Sequence, residues 1–402
     1  MRFTTRLIPL AIGIATTAAA QTAPQTSSVR WNRLLHQFVN EASANRRASR
    51  AKANAAGDSA TLRRLAATPL PMPYTSYTLV SVAQYAAIDA ARNRGGVSTE
   101  AAIASASATV LNELIGDSAA RASIARELAS DIQRAGTDER AALAGEQLGR
   151  DIARAVLKNS PTLNLMGPWN GTIPKGPGMW YSARGIPPIG AGLGQSRAWL
   201  LDSAAQFRPA PPPAFGSPSW NAALEEVQRI AKTRTAEQTR IARNWDSSDP
   251  WARWNEFASN ALTRHQMSDA ESARILALLN VAASDAIIAC FEAKYHYWSI
   301  RPSQADTTLM LADSVGLPNF PSYPSGHACS AGAFDAVLGH FFPSEKAEIT
   351  RIAEEQAMSR LYGGIHYRFD NDAGLNLGRA VARFEIDRER SGELKSLTAS
   401  KQ

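Results

Sequence analysis

Three short stretches in the C-terminal half gather residue types with a common chemistry. The first runs from Lys294 to Pro302 and contains Tyr295, His296, Tyr297, Trp298 and Arg301; the second is Pro324-Ser325-Gly326-His327; the third opens with Ser359-Arg360 and continues to His366 and Asp370. They supply three cations, a Ser-Gly turn that opens a helix, and two histidines. A tetrahedral oxyanion calls for such a set: Lys as a point charge, Arg forks for paired oxygens, and backbone N–H groups at a helix N-terminus. Asp370 follows His366 by four residues, so on a helix the two share one face. A carboxylate there fixes the imidazole tautomer and raises its nucleophilicity. Taken singly, Lys294 and Arg301 read as surface charges, Ser325 as a helix cap and His366 as a core histidine. The ordered combination between residues 294 and 370 is what sets the segment apart.

Other chemistries find little support. The six histidines, His36, His265, His296, His327, His340 and His366, form neither an HExxH pair nor a close His/Cys cluster, which argues against a zinc hydrolase. No GxSxG elbow occurs. The Gly190–Gly194 run lacks a preceding strand and the spacing of a dinucleotide fingerprint. Two cysteines, Cys290 and Cys329, exclude a disulfide-dense scaffold and a four-cysteine zinc site. Both flank the predicted pocket, one a helical turn before Lys294 and the other two residues after His327. Separate helices rarely meet disulfide geometry by chance, so two buried free thiols are expected.

The elements that must position these groups read as helices. The chain has 402 residues, 45% hydrophobic and 20% charged, which is an ordinary globular mix. Trp31, Leu34, Leu35, Phe38 and Val39 form one helical stripe. Ala-rich helical segments follow at about 59–67, 76–94, 98–115, 119–134 and 138–158, then at 219–244, 250–266, 268–299, 326–342 and 344–362, with a last helix through 390. Between about 160 and 220 Gly and Pro punctuate the chain too densely for helices, yet Trp169, Trp180, Tyr181, Trp199 and Phe207 lie there, so this connection is expected to pack on the helices. The expected class is all-α: an N-terminal helical bundle (21–160), a Gly/Pro-rich connection (161–219), a C-terminal helical bundle with the site (220–390) and a polar tail (391–402).

Residues 1–20 read as a secretory signal: Arg2 and Arg6 precede an apolar run, and Ala18-Ala19-Ala20 offers a cleavage site. The expectation is an exported protein, periplasmic or secreted. The run is too short to span a membrane, no uninterrupted run of 18 apolar residues follows, and no transmembrane segment is expected in the mature chain. The net charge of +7, about +5 without Arg2 and Arg6, invites a nucleic-acid partner only weakly. The densest basic run, residues 46–52, has no interleaved aromatics for base stacking, and no nucleic-acid partner is expected.

Together the three motifs resemble the superfamily that joins type 2 phosphatidic acid phosphatases, bacterial acid phosphatases and vanadium-dependent haloperoxidases. All three match without gaps. Trp254-Asn255, residues 276–286, Tyr297-Trp298 and residues 320–324 resemble the soluble haloperoxidase-like branch, and the likeness covers most of residues 30–390. The resemblance implies an all-helical fold with the oxyanion held by Lys294, Arg301, Arg360, Ser325 and the Gly326 backbone. It makes His366 the covalent residue, either the phosphohistidine nucleophile or the axial nitrogen on vanadate, His327 the acid/base and Asp370 the residue that orients His366. It also implies a carboxylate behind Arg360, for which Asp246 and Asp249 are candidates; capping the helix at 250 is the competing role. Phe320 occupies a position near the halide in the haloperoxidase branch, or else packs as an ordinary core residue.

Two activities share such a site. One is a vanadium-dependent haloperoxidase that oxidises halide with hydrogen peroxide and carries vanadate as cofactor. The other is an exported acid phosphatase that cleaves phosphate esters and needs no cofactor. A helical scaffold with a dead site is disfavoured by the intact set of residues.

Overall fold

The computed structural model describes residues 25–58, 61, 73–136, 138–161, 165, 167, 169–182, 185–313 and 315–396. The expected signal segment, most of the expected 59–67 helix and the last six residues lie outside these. Among the described residues the regular structure is helical, with one isolated antiparallel bridge between Met179 and Ser299.

The N-terminal helices are α1 (Ser27–Ala55), α2 (Pro73–Arg92), α3 (Thr99–Leu114), α4 (Ser118–Arg134) and α5 (Glu139–Asn159). In α1 the predicted stripe faces inward: Trp31, Leu35, Phe38 and Val39 are buried and Leu34 packs against the same cluster. Ser98, Asp117 and Asp138 cap α3, α4 and α5, each side chain accepting a backbone N–H three residues on.

The C-terminal helices are α6 (Pro218–Thr233), α7 (Ala236–Ser247), α8 (Pro250–Arg264), α9 (Asp269–Tyr297), α10 (Pro302–Ala305), α11 (Gly326–Phe341), α12 (Lys346–Tyr362), α13 (Arg368–Arg390) and α14 (Glu393–Ser396). One expected helix, 219–244, is two. A capping box between Thr235 and Gln238 starts a new helix, because both side chains bond the backbone N–H groups that a continuous helix would use itself. The α9 helix is long and apolar enough to cross a membrane, but 94% of its most apolar window is buried in the protein. It packs against α2 on one side and against α11 and α13 on the other. One hydrophobic cluster therefore runs from Val29 to Leu394.

Glycines set the closest helix contacts. In α13 a Cβ on Gly374 would lie 2.7 Å from the Ser325 carbonyl oxygen, and one on Gly378 would lie 2.0 Å from that of Cys329. These two positions, one turn apart, let α13 lie directly against the start of α11. The 161–219 connection packs on the bundle as expected. Asp285 of α9 accepts the backbone N–H groups of Trp199, Leu200 and Leu201, and Trp180 is buried.

Candidate active site

The α9 helix ends in the left-handed residue Trp298 (φ 49°), which turns the chain so that Lys294 and Arg301 face one region. Both side chains are fully buried. The Lys294 ammonium donates to the carbonyls of Pro321 (2.9 Å), Ser322 (2.8 Å) and Pro324 (2.5 Å). All three of its donors are thus spent on the loop ahead of α11, and it acts on the site as a positive charge. Burial lowers its pKa to about 8. Arg301 donates from Nε to Phe320 O (2.9 Å) and from Nη1 to Ile365 O (2.8 Å), and burial lowers it to about 10. Among the described residues no carboxylate forms an ion pair with either cation. Phe320 lies against both, its ring centre 5.0 Å from Lys294 Nζ and 5.0 Å from Arg301 Cζ.

Ser325 caps α11 with its backbone alone: its N–H donates to Asp370 O (2.9 Å), while its buried hydroxyl has no partner. Gly326 opens the helix with nothing within 4 Å of where a Cβ would stand. The first-turn N–H groups of a helix lack intrahelical acceptors and favour an anion there. Arg360, near the end of α12, completes the cluster. It donates to Asp246 Oδ1 (3.0 Å), Ala242 O (3.1 Å) and Ser359 Oγ (3.1 Å). The structure decides between the two carboxylate candidates. Asp246 pairs with Arg360, and Asp249 instead caps α8 by accepting the Ala252 N–H (3.1 Å), because the chain turns between them and only Asp246 faces α12.

His366 and Asp370 meet, though not on one helix face. Gly364 (φ 79°) carries the chain out of α12, His366 stands before the Tyr367 cap, and Asp370 lies in the first turn of α13. Asp370 Oδ2 reaches back to accept from the Tyr367 N–H (3.1 Å), from Ser322 Oγ (2.5 Å) and from His366 Nδ1 (2.8 Å). With Nδ1 donating, His366 Nε2 keeps its lone pair, which faces Arg301 Nη1 at 3.5 Å. Burial, then the charges of Arg301, Lys294 and Arg360, push His366 well below its usual pKa, so it is neutral. Burial raises Asp370 to about 6. His327 Nε2 lies 3.3 Å from Trp245 O, which makes Nε2 the protonated nitrogen; burial and the Arg360 charge lower its pKa to about 3.

The structure therefore brings Lys294, Arg301, Phe320, Ser325, Gly326, His327, Arg360, His366, Asp370 and Asp246 into one cluster, and Asp249 alone of the candidates has another job. Three residues escaped sequence reasoning. Ser322 bonds Asp370, Gln356 Nε2 donates to His327 O (2.8 Å), and Gln304 spans from the Arg301 N–H to the Tyr181 carbonyl. Gln356 did carry a signal, lying one helical turn before Arg360. Cys290 and Cys329 are free and buried, as expected.

Residues 274–387 match the family model of the PAP2 superfamily, and that span holds every motif residue from Lys294 to Asp370. The PAP2 likeness in sequence is to this segment, less than a third of the chain. A vanadium-dependent bromoperoxidase of Ascophyllum nodosum is 33% identical over a 107-residue alignment, with 19% of this chain and 19% of that protein covered. The first bacterial vanadium-dependent iodoperoxidase to be solved is similar over 80% of this chain and 91% of its own, with a TM-score of 0.65 and 25% identity. A bacterial vanadium-dependent chloroperoxidase shares the fold in its apo form, with a TM-score of 0.63 at 13% identity over 83% of this chain and 96% of its own. The all-helical fold here is thus similar to that of the vanadium haloperoxidases, and the cluster of candidate residues sits where α9, α11, α12 and α13 converge.

Proposed function

We propose that this chain, whose residues 274–387 match the PAP2 superfamily, is an exported vanadium-dependent haloperoxidase-like enzyme that oxidises halide with hydrogen peroxide. The reading is carried by one observation: the likeness to a vanadium iodoperoxidase extends over 80% of the chain, far beyond the segment that binds the oxyanion. The site's own chemistry fits vanadate. A buried serine hydroxyl without a partner, an open glycine at a helix start, two buried cations without carboxylates and a neutral histidine with a free lone pair are complementary to a small oxyanion. His366 Nε2 would ligate the vanadium, and Lys294, Arg301, Arg360, Ser325 and the Gly326 N–H would hold the oxygens. Bound vanadate supplies a Lewis-acidic centre that activates peroxide toward halide.

The chain's residues do the rest. Asp370 holds the His366 Nδ1 proton, which keeps Nε2 aimed inward, and Ser322 holds Asp370. Burial first and the Arg360 charge second depress His327, and an anion in the cluster would offset the second, which favours proton uptake and return by this imidazole. Phe320 shields Lys294 and Arg301 from water and strengthens their field.

A phosphomonoesterase is the second reading, favoured by the neutral His366 with its free Nε2. There Nε2 attacks phosphorus, the alkoxide leaves with a proton from His327, and water attacks the phosphohistidine to release phosphate. An assay of the mature protein with and without added vanadate tests both. Bromination by hydrogen peroxide and bromide that requires vanadate supports the peroxidase. Hydrolysis of p-nitrophenyl phosphate that vanadate inhibits, with no bromination, overturns it.

A further inference from the structure

The 161–219 connection forms a cleft of about 680 Å³ that the oxyanion chemistry leaves unused. Its walls include Trp169, Met179, Trp180, Tyr181 and Ile186, with Lys175 at the edge. Tyr181 and Ile186 are 46% and 45% exposed, two of the six large apolar side chains so exposed among the described residues. Isolated exposed apolar residues need no explanation, but two on one concave, tryptophan-lined surface mark a ligand site. None of the described residues lining the cleft is acidic, and no acid pairs with Lys175 among them. The site is thus apolar and aromatic in its body and, among the described residues that line it, Lys175 is the cation.

The cleft is built onto the oxyanion cluster. Trp180 N donates to Trp298 O (2.7 Å) and Ile300 N to Gly178 O (2.9 Å), which pins its floor to the chain between Lys294 and Arg301. Asn319, the neighbour of Phe320, is held by Ser182 Oγ (3.1 Å) and donates to Pro187 O (2.9 Å). Gln304 joins the Tyr181 carbonyl to the Arg301 N–H. An aromatic wall runs inward from the cleft: Trp169 and Trp180 contact Trp298, which contacts Tyr295, then Phe291, then Phe320 under the two cations.

We propose that this cleft binds an aromatic carboxylate, with the ring against the tryptophan wall and the carboxylate on Lys175. Ring stacking supplies the apolar part of the affinity and the lysine discriminates against neutral analogues. The inference does not rest on which reaction the oxyanion site performs, since it concerns binding alone.

The test uses 2-naphthoate as the probe and 2-naphthalenemethanol as its neutral counterpart, each titrated by calorimetry into the mature protein. Saturable one-to-one binding of naphthoate is expected, weakened about tenfold by Lys175→Glu, since reversing an exposed charge both removes an attraction and adds a repulsion. Ile186→Asp should weaken both probes, and Lys175→Glu should leave the alcohol unaffected. Both side chains are at the surface, and unchanged thermal unfolding of the variants shows that the fold survives. No saturable binding, equal affinity for acid and alcohol, or an unchanged affinity in Lys175→Glu would each overturn the proposal. A separate vanadate titration of Lys175→Glu should match wild type, so failure of the cleft is distinguishable from failure of the oxyanion site.

Discussion

Two buried charge clusters in opposite halves of the chain are built in opposite ways. In the N-terminal half, Asp131 is fully buried and accepts from Ser27 Oγ (2.5 Å), Trp31 Nε1 (2.8 Å), Arg30 and Arg134. Burial pushes its pKa up, but the Ser27 and Arg134 hydrogen bonds and the Arg30 charge more than offset this, and Asp131 sits below the usual range. Every charge there has a counter-charge from the same chain, and the cluster ties α1 to α4. In the C-terminal half, Lys294 and Arg301 are equally buried but hydrogen-bond to carbonyls and, for Arg301, to His366, with no counter-charge paired to either among the described residues, and the Ser325 hydroxyl and one Asp370 oxygen have no partner there. The first cluster is closed and holds helices together. The second holds donors and charge in reserve, which costs stability and makes sense only if a ligand completes it.

The contrast can be broken most sharply at His366. His366→Ala should lower activity by more than about a thousandfold, because it removes the imidazole nitrogen proposed to bind the oxyanion centre, with little loss of folded protein by circular dichroism. Asp131→Ala should do the reverse. Chemical denaturation should show a loss of about 3 kcal/mol, as the buried Ser27 and Trp31 donors lose their acceptor, while vanadate affinity stays at the wild-type value.

Much of the second cluster is legible in the sequence because its members lie in three contiguous stretches, and residue type alone identifies a cation, a cap or an imidazole. What stayed hidden depends on where the backbone points. Nothing in the residue types says that the carbonyls of Pro321, Ser322 and Pro324 converge on Lys294, or that Asp246 rather than Asp249 faces Arg360. The four-residue spacing of His366 and Asp370 suggested a shared helix face, yet the pair forms across a helix start because Asp370 also satisfies the Tyr367 N–H. The break before Thr235 was readable from its capping box and was masked by helix-forming residues on both sides. The helix class was plain throughout, since the Ala-rich stripes and capping residues agree with each other.

Two smaller effects sharpen the comparison. Gly378→Ala places a Cβ 2.0 Å from the Cys329 carbonyl oxygen, so α13 must shift away from α11. About 1–3 kcal/mol of stability should be lost, and vanadate affinity with it, because Asp370 and Ser325 are carried on those two helices. Asp249→Ala removes a cap alone: thermal unfolding should show a loss of about 1 kcal/mol with halide oxidation unchanged per folded molecule. An equal loss of activity in Asp249→Ala and Asp246→Ala would refute the assignment of Asp246 to Arg360.

The most direct test of the open cluster is a calorimetric titration of vanadate into the wild-type protein, Asp131→Ala and His366→Ala. Lys294 carries its charge below its lowered pKa of about 8 and loses it above, so affinity should fall from about pH 7 to about pH 9. The account predicts one vanadate per chain in wild type and Asp131→Ala, and a large loss in His366→Ala. Absence of saturable binding in wild type, or an unchanged affinity in His366→Ala, would contradict it.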